Sequence, residues 1–136
     1  MAHHDSLAGL PNRSMLQECL KQAITLAQRI EIPLAVLFID LNGFKQVNDT
    51  YGHEVGDCLL QQVKLLLRDS DTLARMGGDE FVALLTQVKD AEGVKQSMAC
   101  IEAAMATPFQ IQHHTLHCYV SQGAALYPED GISALI

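Results

Sequence analysis

Two carboxylates follow two glycines at Gly77-Gly78-Asp79-Glu80, where this 136-residue chain is best equipped for chemistry. The flanking apolar runs, Thr72 to Met76 and Phe81 to Leu85, read as short buried strands. The tetrapeptide is then a hairpin tip, and its glycines can take positive φ without a Cβ penalty. Stability alone gains nothing from two like charges at such a tip. Glycine lets a ligand approach the backbone, and Asp79-Glu80 concentrate negative charge beside it. That pairing suits a divalent cation holding a polyphosphate. Taken alone, the same four residues also describe an ordinary solvated turn.

The elements around the tip decide what it can meet. Leu34 to Ile39 is a continuous apolar run, as expected of a central strand covered on both faces, and it stops at Asp40. If the strand from Phe81 runs antiparallel to it, Asp40 and the tip share one sheet edge and can bind one cation pair. Before it, Leu16, Leu20, Ala23, Ile24 and Ala27 recur at helical spacing over Ser14 to Ile30. His3 to Arg13 reads as a loop, Gly43 to Asn48 as a short helix, and Tyr51-Gly52-His53 as a turn. Amphipathic helices follow over Val55 to Arg68 and Asp90 to Ala106. Phe109 to Gln112 and Leu116 to Leu126 read as a second hairpin turning near His113-His114. Two hairpins flanking a central strand, with helices between, imply an α+β sandwich around a mainly antiparallel sheet.

Composition narrows the chemistry. One domain is expected at this length, and 49% hydrophobic residues suffice for a core. Nine Lys and Arg against sixteen Asp and Glu leave a net charge of −7, which argues against nucleic acid as a partner. Phosphates must then be handled through metal ions or a few placed cations. Cys19, Cys58, Cys100 and Cys118 form no Cys-x-x-Cys pair and read as reduced thiols of a cytoplasmic protein. There is no apolar run of membrane-spanning length. His113, His114 and His117 read as an exposed hairpin rather than a metal site, since His114 faces away from the others on a strand.

Four segments in order carry a family resemblance: Asp5 to Arg13 (DSLAGLPNR), Phe38 to Asp49 (FIDLNGFKQVND), Tyr51 to Asp57 (YGHEVGD) and Arg75 to Phe81 (RMGGDEF). They resemble the motifs of GGDEF domains, the diguanylate cyclases that make cyclic di-GMP from two GTP. The resemblance implies a nucleotidyl-cyclase or polymerase-palm-like sandwich, two Mg²⁺ or Mn²⁺ ions, and a homodimer that presents one GTP per subunit. It implies Asp40, Asp79 and Glu80 as catalytic and metal-holding carboxylates, with the Leu41 carbonyl as a further metal ligand. Gly43, Phe44 and Lys45 would hold phosphate oxygens, Gly77 and Gly78 would line the substrate, and Asn48 and Asp57 would read guanine. Helix capping accounts equally for Asn48 and Asp57 taken by themselves. Arg68 and Asp71, with five residues before Gly77, resemble the family's inhibitory site for product cyclic di-GMP. His53 is expected to serve only the turn.

Some positions depart from the family pattern. Asn42 replaces a frequent second aspartate, Ala8 a frequent threonine, and Met76 a frequent aromatic. After Ala124 to Gly131 the resemblance implies a further helix, a basic segment and a last strand, so residues 1–136 are expected to be a single GGDEF domain that lacks its C-terminal helix and last strand, taken from a longer regulatory protein. A sensor or phosphodiesterase domain is the expected neighbour. The competing expectations are a GTP- or cyclic di-GMP-binding module that regulates such a neighbour, and a scaffold that serves only to dimerise.

Overall fold

The computed structural model describes residues 9–86 and 88–128. The first part of the segment Asp5 to Arg13, through Ala8, and the stretch from Glu129 onward lie outside the described residues. The elements run α1 (Arg13–Ile30), β1 (Leu34–Asn42), α2 (Phe44–Tyr51), α3 (His53–Lys64), β2 (Thr72–Gly77), β3 (Glu80–Leu85), α4 (Ala91–Met105), β4 (Phe109–Ile111), β5 (His114–Leu116) and β6 (Tyr119–Tyr127). The fold is the expected α+β sandwich, a central antiparallel sheet with helices on both faces.

The sheet has the order β2-β3-β1-β6, so β1 is paired on both sides. Its residues split between the two faces with the alternation of a strand. Ala35, Leu37, Ile39 and Leu41 pack with α2, α3 and α4, while Leu34 and Val36 pack with Leu16, Leu20 and Ala27 of α1. Asn12 caps α1, its side chain accepting the Met15 N–H at 3.0 Å, and Asp90 caps α4 in the same way through Gly93. No helix among the described residues is long and apolar enough to cross a membrane.

Three boundaries differ from the sequence expectation. First, β1 continues past Asp40 to Asn42, because β6 pairs with it as far as Asn42–Tyr119 and β3 as far as Asp40–Glu80. Second, α3 begins at His53 and ends at Lys64, which places Asp57 beyond the first turn and Arg68 outside the helix. Third, Leu116 to Leu126 is not one strand. β4 and β5 form their own two-stranded sheet, and β6 leaves them to join β1. The second hairpin is therefore a satellite of the sheet rather than part of it.

Candidate active site

The β2–β3 turn and the far end of β1 lie side by side. Asp40 stands opposite Glu80 in the antiparallel ladder, and directly opposed residues project to the same face. Both line a cleft of about 410 Å³ that Arg13, Phe38, Met76 and Gln122 also border. Leu41 donates its N–H to the Asp79 carbonyl at 2.9 Å, which ties the turn to the strand. Gly78 at φ +52° and Gly77 at φ +155° both hold backbone conformations that residues with a side chain rarely adopt. A Cβ added at either glycine meets nothing within 4 Å, so the space above the turn is open.

Asp79 reaches in the other direction. Its Oδ1 accepts the Lys45 N–H at 2.7 Å, at the start of α2. Gly43 is the N-cap residue there, at φ +96°, and has no side chain to satisfy the helix's first donors. Asp79 supplies that cap from across the fold, with a charge the helix N-terminus favours. The Lys45 N–H is therefore engaged by a carboxylate rather than open to a phosphate. Phe44 is buried and meets Phe81 edge to face, with centroids 5.4 Å apart, which fixes the helix start against β3.

The donor set fits a hard divalent cation. Asp40 Oδ1 is sealed from solvent and has no hydrogen-bond partner, a costly arrangement that a cation relieves. Among the described residues no three Asp, Glu, His or Cys side chains gather closely enough to hold an ion by themselves. Carboxylates acting with a backbone carbonyl and substrate oxygens match the way Mg²⁺ is usually bound.

The two expected base readers flank the α2–α3 seam. Asn48 is buried, and its Oδ1 lacks a partner. A Cβ at Gly56 would overlap the Asn48 carboxamide, so glycine at that position gives the amide its space. Asp57 follows on α3, half-buried. Arg68 and Asp71 lie at the opposite end of β2 from the acidic turn, roughly 20 Å away for a six-residue strand. They are engaged with each other: the Arg68 backbone N–H donates to Asp71 Oδ2 at 3.0 Å, and the Arg68 guanidinium meets Asp71 Oδ1 at 3.4 Å and the Thr86 carbonyl at 2.7 Å.

The family model "Diguanylate cyclase, GGDEF domain" matches residues 2–135. The chain belongs to the GGDEF diguanylate cyclase family. It is 44% identical over 135 residues to the bifunctional diguanylate cyclase/cyclic di-GMP phosphodiesterase MucR of Pseudomonas aeruginosa, covering 96% of this chain and 20% of that protein. It is 39% identical to the cyclic di-GMP phosphodiesterase NbdA of the same organism, covering 96% and 17%. The diguanylate cyclase TpbB, also from Pseudomonas aeruginosa, is 40% identical, over 94% of this chain and 31% of that protein. A solved structure of the TpbB GGDEF domain superimposes with a TM-score of 0.82, covering 98% of this chain and 81% of that one. This GGDEF domain thus spans a third or less of the length of those curated relatives.

Around this GGDEF turn stand residues to which sequence reasoning gave no part in the site. Arg13, at the start of α1, is the one cation among the residues bordering the cleft. Cys118, fully buried, donates from Sγ to the Asn42 carbonyl at 3.4 Å. Burial, then the nearby charges of Asp79 and Asp40, push its thiol up to about 12. Their positions depend on where α1 and β6 dock, and no local spacing in the sequence signals that. His114 packs on Tyr51 of α2, with centroids 4.5 Å apart, and His117 lies alongside Tyr119.

Proposed function

We propose that this domain condenses two GTP into cyclic di-GMP and two pyrophosphates, the 3′-hydroxyl of each nucleotide attacking the α-phosphate of the other and expelling its pyrophosphate. The single observation that carries the reading is Asp40 facing Glu80 across one ladder rung, with Asp79 tied to the neighbouring Leu41. When bound, Mg²⁺ or Mn²⁺ acidifies the hydroxyl and neutralises the phosphates. Asp40, Asp79, Glu80 and the Leu41 carbonyl would hold the cations, and the buried, unpartnered Asp40 Oδ1 supports that reading. Glu80, exposed at the lip, also serves to receive the hydroxyl proton.

Gly43, Phe44 and the Lys45 ammonium meet phosphate oxygens, while Gly77 and Gly78 leave the backbone open to them. Asn48 and Asp57 read the guanine edge, the carboxylate accepting its N–H groups. Two copies of the domain, each carrying one GTP, supply the two halves of the product. Cyclic di-GMP returns to Arg68 and Asp71, which must part to grip a guanine, Arg68 on O6/N7 and Asp71 on the donor edge. A GTP-consuming reaction places the domain in the cytoplasm, beside the sensor or phosphodiesterase domains of a longer protein.

The test is incubation with GTP and Mg²⁺, followed by chromatography for cyclic di-GMP. Asp40→Asn is the sharpest variant: it keeps the shape and removes the charge, so turnover should disappear while the melting temperature holds. Product formation by that variant at the wild-type rate would overturn the metal assignment. Arg68→Ala should make the product a weaker inhibitor. A second reading, a GTP- or cyclic di-GMP-binding regulator of a neighbouring phosphodiesterase, draws on the similarity to NbdA. Tight GTP binding with no product from the wild-type chain would favour it.

A further inference from the structure

Arg75, two residues before the end of β2, turns its side chain back onto the acidic turn. Its Nε and one Nη both donate to the Gly78 carbonyl, at 3.3 and 3.1 Å. The guanidinium also lies over the Phe44 ring, 5.4 Å from its centroid. The Gly78 carbonyl belongs to the peptide that leads into Asp79, and Phe44 opens the helix whose Lys45 N–H binds Asp79 Oδ1. One side chain thus touches both partners of the Asp79 cap. A left-handed glycine alone would leave that peptide free to rotate.

We infer that Arg75 is a positioning residue, which locks the Gly78–Asp79 peptide against α2 and so aims Asp79 and Glu80 at the cation shared with Asp40. The metal half of this inference rests on the cyclase reading above; the locking half does not. A guanidinium has no lone pair to offer a cation, so its part is to hold the peptide that carries the ligands. It acts as an outer-shell support, and loss of such partners typically weakens metal binding about 10–100-fold.

The experiment compares the wild-type chain with Arg75→Met and Arg75→Lys by amide hydrogen exchange without ligand, and by Mn²⁺ titration with GTP present, followed by electron paramagnetic resonance. In Arg75→Met the Lys45 and Leu41 amides should lose protection while those of β1 and α4 keep theirs, and Mn²⁺ affinity should fall about tenfold. Arg75→Lys, which can still donate to the Gly78 carbonyl, should recover part of both. Unchanged protection at Lys45 in Arg75→Met overturns the inference, whatever the chain binds. Equal loss of protection throughout the sheet also overturns it, because the residue would then serve general stability. A wild-type chain that binds no Mn²⁺ overturns the cyclase reading and the metal half with it, and is recognised by a Lys45 exchange difference that persists.

Discussion

At the scale of single residues, the site combines unsatisfied acceptors with tight packing. Asn48 and Asp40 each hold a buried oxygen without a partner, and each is placed where the family reading puts a ligand. Gly56→Ala should push the Asn48 carboxamide aside. Overpacking of this kind typically costs about 1–3 kcal/mol. Calorimetry and competition between GTP and ATP would read it: stability should drop, and the preference for GTP should shrink. Cys118 gives a pH signature. The folded chain keeps this thiol protonated up to about pH 12, while the unfolded chain releases the proton near its ordinary 9.0. The stability difference is therefore complete below pH 9 and lost as pH rises from there towards 12. Urea midpoints of wild type and Cys118→Ala should converge across that window, and a constant gap would refute the shift. At neutral pH an alkylating reagent should modify exposed Cys100 well before Cys118.

At the scale of elements, caps and strand pairing fix where the acids sit. Asn12→Ala removes the acceptor for Met15 N–H and should cost about 1 kcal/mol, seen as a lowered melting temperature with far-UV spectra unchanged. The helices and the acidic hairpin were legible in the sequence, because a 3.6-residue apolar period and a glycine pair are local signals. Asp40 beside the hairpin tip was legible only on the condition that the strand from Phe81 runs antiparallel to β1, and the observed ladder meets that condition. The rest was set at a distance. Nothing near Asp40 says that the strand runs on to Asn42; that depends on Tyr119 and its neighbours supplying a second ladder. The break at His117-Cys118 that frees β6 from the hairpin is likewise invisible in an apolar run. The Asp79–Lys45 bond required the turn and α2 to be placed in three dimensions.

At the scale of the molecule, like charge opposes any pairing of two copies. Each copy carries a formal −7, so two copies repel over about 30 Å at 0.01 M salt and over about 8 Å at 0.15 M. Sedimentation equilibrium should find self-association stronger at the higher ionic strength, and stronger still with Mg²⁺ and GTP; association that weakens as salt rises would contradict a pairing limited by like charge. The strand order has one more consequence. β1 is complete early in the chain, yet one flank waits for β6, the last described strand. At ribosomal speeds that wait lasts on the order of ten seconds. Throughout it the edge of β1 that β6 will cover stays unpaired, the kind of open strand edge that invites pairing with other chains.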